Sequence, residues 1–192
     1  SYSVSGKLRY GFSNYLLGGE AGYNYFYDPK KFSRFGFKLK SIVEQYNSTE
    51  PITELVNSTN TLFWNNNFMK LFKETAAEGN FFTELTNGIY FSSNLKFAQR
   101  DALKNTSDIL FIDDKKKLFT SNDPLNAGTH EFLFKSNQAA TAEVTLTFRF
   151  KQKYVSIPGR KLITGSKYPR LSVNYKKAIP VAEGMMNYDF VS

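Results

Sequence analysis

The chain has 192 residues, with 25 Lys and Arg against 17 Asp and Glu and no cysteine. That length suffices for one domain with a real core. The missing cysteine excludes disulfide frameworks, thiolate zinc sites and cysteine nucleophiles together, and the formal charge of +8 leaves a basic surplus to be accounted for. No apolar run approaches the roughly 18 residues that a membrane-crossing helix needs. No basic start with an apolar h-region opens the chain, so no secretory leader is read here. Lacking an initiator Met, residues 1–192 read as one region, incomplete at both ends, of a longer or processed protein. Aromatics make up 17% of a chain whose mean hydropathy is only −0.41. Alternating strands, greasy on one face and polar on the other, produce that combination.

Residues 2–12 alternate, with Tyr2, Val4, Leu8, Tyr10 and Phe12 on one parity and Ser3, Ser5, Lys7 and Arg9 on the other. The stretch from Asn14 to Gly19 reads as a break. A strand follows over 20–27 and ends at Asp28-Pro29, because proline donates nothing to a ladder. The next strand covers 33–43, with Phe35, Phe37 and Leu39 on one face. The period then changes. Leu62, Phe63, Phe68, Met69, Leu71 and Phe72 fit a three-to-four spacing, and Ala76-Ala77 before Gly79 resembles a capped helix end. This predicts a helix over 65–78, in a connection at the rim of the sheet. Alternation resumes over 82–97, read as one strand. Residues 100–128 read as a long loop with a short strand near 109–112. The clearest strand is 141–151, where Ala142, Val144, Leu146, Phe148 and Phe150 oppose Glu143, Thr145, Thr147, Arg149 and Lys151. A basic Gly/Pro-containing loop precedes a further strand over 168–177, and 187–190 looks like the start of another.

Long strands with an aromatic face and a charged face arise in two settings. In a soluble sheet the greasy face meets a core. In an outer-membrane barrel it meets lipid, while the charged face lines the lumen and aromatics gather at the interfaces. Strands of about ten residues match what a tilted strand needs to cross the hydrocarbon. In the barrel reading, Val144, Leu146 and Phe148 face lipid and Glu143, Thr145 and Arg149 face the lumen.

Four segments occur in a recognisable order: Thr147-Phe148-Arg149-Phe150, Gln152-Lys153-Tyr154-Val155-Ser156-Ile157-Pro158, Gly165-Ser166-Lys167-Tyr168-Pro169 and Val173-Asn174-Tyr175-Lys176-Lys177-Ala178-Ile179-Pro180. Upstream, Asn67-Phe68-Met69-Lys70-Leu71-Phe72, Glu84-Leu85-Thr86-Asn87-Gly88 and Thr120-Ser121-Asn122-Asp123-Pro124 fit the same succession. Over residues 50–190 the chain resembles the barrel region of a Bacteroidota outer-membrane family of unknown function, the DUF5686 and carboxypeptidase-regulatory-like-domain proteins. The resemblance implies an all-β, antiparallel transmembrane β-barrel, partial here, with one short helix in a connection. It also implies a place in the cell outer membrane and brings no catalytic residues to carry over.

The candidate sites are weak one by one. His130 has no second histidine or cysteine to join it in a metal site, and no Gly-x-Ser-x-Gly elbow would make it part of a triad. Glu84, Glu131 and Glu143 could supply a glycosidase pair, but polar-face pairing with Lys96, Arg149 and Lys151 accounts for such residues. Asp113, Asp114 and Asp123 lack the alternate-position spacing of a calcium loop. The sequons at Asn47, Asn57 and Asn105 are what Asn-rich turns produce by chance. The basic residues are spread along the chain, with no nucleic-acid motif, so nucleic acid is not expected as a partner. The expectation is a non-enzymatic outer-membrane barrel segment without metal or cofactor: a channel, scaffold or subunit of an envelope transport or assembly complex. Its partners would be outer-membrane lipid and other envelope proteins or lipoproteins. The alternative is a soluble β-rich binding domain for carbohydrate or nucleic acid.

Overall fold

The computed structural model describes residues 1–11, 15–47, 52–104, 111, 120–125, 135–180 and 189–192. Ten strands and one helix follow in order: β1 Tyr2–Gly11, β2 Leu16–Asp28, β3 Ser33–Gln45, α1 Glu54–Trp64, β4 Leu71–Thr86, β5 Ile89–Ala102, β6 Asn137–Arg149, β7 Lys153–Ile157, β8 Arg160–Gly165, β9 Arg170–Ile179 and β10 Asp189–Val191. Eight form one sheet in the order β1-β2-β3-β4-β5-β6-β9-β10, every neighbour antiparallel. The hairpin β7-β8 stands outside that order as a sheet of its own. The chain is therefore mostly antiparallel sheet with one short helix. The sheet is open, since β1 and β10 end the order without pairing to each other.

The period-two segments are strands, and β2 to β6 run to 13–16 residues. The register carries each parity across the whole sheet. Tyr2, Tyr25, Phe35, Phe81, Ser93, Val144, Tyr175 and Val191 stand opposite one another in turn. On the other face the matching row is Ser3, Asn24, Gly36, Asn80, Asn94, Glu143, Lys176 and Phe190. A Cβ at Gly36 would lie 2.2 Å from Asn24 Oδ1 and 2.8 Å from Asn80 Nδ2, so a side chain in that row would have to displace both amides.

Burial is inverted relative to a water-soluble sheet. Along β2 the exposed positions are Leu17, Ala21, Tyr23, Tyr25 and Tyr27, and the shielded ones between them include Glu20 and Asn24. Glu74 is 1% exposed, while Leu95 is 61% exposed. The more shielded face is the polar one, as in a sheet that curls toward its polar side.

Several expectations need correction. Residues 65–78 are not a helix. Residues 65–70 are irregular, and 71–78 belong to β4. The helix lies earlier, where Thr53 caps its start by accepting from Val56 N and Asn65, left-handed at φ 57°, ends it. The apparent three-to-four spacing straddled the end of a helix and the start of a strand, and the asparagine run terminates the helix. Ala76 and Ala77 are strand residues held by cross-strand partners on both sides. That α1 sits in a strand-to-strand connection agrees with expectation. Residues 82–97 are two strands, not one, joined by a tight Asn87-Gly88 turn with Gly88 at φ 82°. Gly18 and Gly19 lie inside β2 rather than in a break. The strand expected over 141–151 stops at Arg149, with Lys151 at φ 47° in the turn that follows. The loop after it contains the β7-β8 hairpin. The short strand expected near 109–112 falls almost wholly outside the described residues.

Candidate functional site

Alternation puts Lys38 and Lys40 on the polar side of β3, Glu74 and Glu78 on that of β4, and Lys96 and Arg100 on that of β5. The register sets Glu78 opposite Lys96, and Glu74 opposite Arg100. Glu74 accepts hydrogen bonds from Lys40 Nζ at 2.8 Å, Lys96 Nζ at 2.6 Å and Arg100 Nε at 3.2 Å. Lys40 also meets Glu44 at 2.7 Å and Glu78 at 3.8 Å. Three carboxylates and three cations thus interlock across three strands. A carboxylate this buried needs such partners, since an unpaired charge out of water costs several kcal/mol. Lys96 reaches Glu74, four residues before its direct partner Glu78 on β4, by passing the small Ala76–Ala98 pair. Beside it, Asn24, Asn80, Asn94 and Glu143 form an amide-rich strip. Asn174 donates to Glu143 at 2.6 Å and to Thr145 at 2.8 Å. A shallow open groove there is lined by Arg34, Asn80, Ser92, Asn94, Glu143 and Thr145.

A second cluster closes the end of the sheet bearing the Asn87-Gly88 turn. Glu84 is 3% exposed and accepts from Gly88 N at 3.0 Å, Gln152 Nε2 at 2.9 Å and Lys161 Nζ at 2.5 Å. Tyr90 donates to Gln152 Oε1 at 2.7 Å, and Asn87 donates to Gln152 O at 2.9 Å. The Lys161 ammonium also lies 4.3 Å from the Tyr154 ring centroid. These bonds tie the β7-β8 hairpin to the sheet end.

The opposite end is organised by asparagines acting as substitute backbone. Asn122 accepts from Leu71 N at 2.8 Å and donates to Leu71 O at 2.7 Å and Leu103 O at 2.6 Å. Asn57 accepts from both Phe68 N and Met69 N. Lys70 donates to Ser121 O. Burial pushes the Tyr46 phenol up from its ordinary value, and the Asp123 carboxylate adds to that rise. Burial pushes the Lys70 ammonium down, with Asp123 opposing it.

The expected candidates are dispersed. His130, Glu131, Asp113 and Asp114 lie outside the described residues, as does most of the sequons at Asn47 and Asn105. Asn57 is a structural link. Asp123 is buried and accepts from Leu125 N. Glu84 and Glu143 are two strands and four residues apart, about 16 Å by sheet spacing, well beyond the roughly 6.5–9.5 Å of an inverting glycosidase pair. Lys96 is on the polar face as expected, but its partners are Glu74 and Glu78. Lys151 meets Tyr168 rather than a carboxylate. Sequence reasoning missed the Glu74 and Glu84 clusters. For the second, the Asn-Gly dipeptide was the available signal, since it fixes a tight hairpin and so places Glu84 beside the chain after β6. Among the described residues no group of three His, Cys, Asp or Glu could hold a metal ion, and no helix is long and apolar enough to cross a membrane.

Compared with known proteins, the chain matches over residues 1–192 the family described as a family of unknown function (DUF5686), C-terminal domain. No curated protein and no solved structure matches it.

Proposed function

The chain belongs to the DUF5686 C-terminal domain family, and on that premise we propose that it forms part of the wall of a transmembrane β-barrel in the outer membrane of Bacteroidota. The observation that carries the reading is the inversion of the sheet. Glu74 and Glu84 are 1% and 3% exposed, whereas Phe37, Leu39 and Leu95 on the other face of interior strands are 50–61% exposed. In water that face would leave a large apolar area uncovered, and soluble monomers seldom expose more than a few hundred Å² in one patch. Against lipid the same face is the favoured one, and each large side chain buried there contributes roughly 1.5–3 kcal/mol. Strands of 13–16 residues exceed the roughly 9–11 that a tilted strand needs to span the hydrocarbon.

The orientation follows from the connections. The two longest connections, β3-β4 through residues 46–70 and β5-β6 through residues 103–136, leave the same end as the short β1-β2 connection; the other end carries the short β2-β3 and β4-β5 turns and, between β6 and β9, residues 150–169 with the β7-β8 hairpin. In outer-membrane barrels short turns face the periplasm and long loops face outward. The Asn87-Gly88 end is then periplasmic. The interlocked ions of the polar face would line a lumen and stiffen the wall without forming a reaction centre, so the role is non-enzymatic: a channel, scaffold or subunit of an envelope complex. Closure into a barrel would pair the outer edges of β1 and β10, with each other or with further strands.

The test is behaviour without detergent. The full chain should require detergent or vesicles to remain dispersed, and in vesicles its strands should be protected from added protease. A chain monodisperse in plain buffer at high concentration would overturn the proposal and favour a soluble β-rich binding domain.

A further inference from the structure

The polar face carries a row of side chains whose hydrogen-bonding groups the fold does not use. Asn24, Gly36, Asn80, Asn94 and Glu143 stand opposite one another on β2 to β6. Elsewhere on the sheet polar neighbours bond across strands, as Ser33 does with Thr83 at 2.7 Å and Thr147 with Ser172 at 3.0 Å. Among the described residues, the amides of Asn24, Asn80 and Asn94 and the Ser92 hydroxyl make no such bond. In the next row toward the Asn87-Gly88 turn, Arg34, Phe82, Ser92 and Thr145 stand opposite in order. The Arg34 guanidinium lies over the Phe82 ring at 4.8 Å and meets no carboxylate among the described residues. Asn174 occupies Glu143 Oε1 and leaves Oε2 open. The hollow between the two rows holds about 400 Å³, within the range of small-ligand pockets. A second hollow, walled by Ser5, Glu20, Gly22, Asn24 and Lys38, shares Asn80 with it. Together they form a track across the strands from Asn24 to Glu143, about 19 Å by sheet spacing.

We infer that this track binds an uncharged oligosaccharide laid across β2 to β6. A primary amide both donates and accepts, as does a serine hydroxyl, and a sugar hydroxyl needs both from its partners. Glu20 is already paired with Lys38 at 2.9 Å. The lining charges left open are therefore the Arg34 guanidinium, which only donates, and one Glu143 oxygen, which only accepts. That balance offers a polyanion no net attraction, and a lone carboxylate does not make a metal site. An apolar ligand would strand the amides without partners. The inference goes beyond the barrel proposal and needs only the polar face, whether that face lines a lumen or an open concave sheet.

The experiment uses the full chain in lauryldimethylamine oxide, a detergent without a sugar headgroup, or in plain buffer if it stays dispersed there. Equilibrium dialysis measures retention of radiolabelled maltohexaose and cellohexaose, with inositol hexakisphosphate as the charged comparison. The wild-type chain should retain at least one hexasaccharide, with little dependence on salt. Asn80→Ala/Asn94→Ala should weaken that retention about tenfold through the lost hydrogen bonds. Its unfolding midpoint should not move, because neither amide bonds to the fold. Ser92→Tyr, which fills the hollow, should abolish retention and decides the matter if the double variant fails to fold. Gln99→Ala, on the opposite face, should leave retention unchanged. No retention of either sugar, or retention unchanged in the track variants, overturns the site. Tighter, salt-sensitive retention of inositol hexakisphosphate overturns the uncharged class. A chain dispersed in plain buffer that still retains the sugar overturns the barrel and supports the site; a membrane-inserted chain that retains none does the reverse.

Discussion

Lys161 donates to Glu84 at 2.5 Å across 77 residues of chain, and both side chains are at least 90% buried. This single ion pair joins the separate two-stranded hairpin to the large sheet, with Gln152 bridging Glu84, Asn87 and Tyr90 around it.

Removing one partner should release the hairpin locally. Breaking a buried pair costs on the order of 3–5 kcal/mol because the remaining charge is stranded. Lys161→Met is expected to speed amide hydrogen exchange across 153–165 while leaving β4 and β5 protected. Glu84→Gln/Lys161→Met, which strands no charge, should restore much of the protection. Unchanged exchange in the single variant would show that the strand ladder alone holds the hairpin.

Glu74 should be the most sensitive carboxylate of the polar face. Glu74→Gln leaves Lys40, Lys96 and Arg100 without their shared anion and should lower unfolding stability by about 3–5 kcal/mol. Glu143→Gln, whose described contact is the Asn174 amide, should cost less than about 1.5 kcal/mol. Denaturant titration of both variants in the same detergent compares them directly.

The two faces of β6 should tolerate arginine differently. Val144→Arg and Leu146→Arg place a cation on the proposed lipid face, at roughly 2–4 kcal/mol near the midplane, and should block membrane assembly. Thr145→Arg, on the opposite face beside Asn174, should assemble and shift ion selectivity in a conducting barrel. Equal tolerance at both parities would remove the lipid face from this strand.

Tyr46 should make the end bearing α1 sensitive to alkali. Its folded phenol is raised by burial and by Asp123, so above the ordinary tyrosine value of about 10 the unfolded chain holds fewer protons than the folded one. Stability should therefore fall as pH rises past that value, and Tyr46→Phe should flatten the loss. Lys70 is shifted the other way: its folded form sheds its proton first, so its own contribution becomes more favourable as pH rises toward about 10.4. In Lys70→Met the alkaline loss should be steeper than in the wild type. Thermal unfolding across pH 8–11 distinguishes the three chains.

The strands were legible because a two-residue period survives wherever one face is apolar and the other polar. Tyr23-Tyr25-Tyr27 and Val144-Leu146-Phe148 are instances. Residues 71–80 defeated that reading because β4 carries charge and alanine where the period would need large apolar groups: Glu74, Ala76 and Glu78 alternate with Thr75, Ala77 and Gly79. Such a segment takes its conformation from its neighbours β3 and β5, and propensity alone points elsewhere. Lys161 and Gln152 could not be found from local pattern. They act through contacts 77 and 68 residues away, after a turn in which Lys151 adopts a positive φ that its side chain gives no reason to expect.

The alanines of the polar face have their own consequence. Ala76, Ala98 and Ala139 stand opposite one another on three successive strands, and Ala98 has no exposed surface. They form a low floor over which the Lys96 chain lies on its way to Glu74. A leucine at Ala98 would change no charge, yet it would lift the ammonium away from the carboxylate it neutralises. The electrical character of this face is thus written partly in the size of its uncharged residues, and a change of volume alone can be felt there as a change of potential.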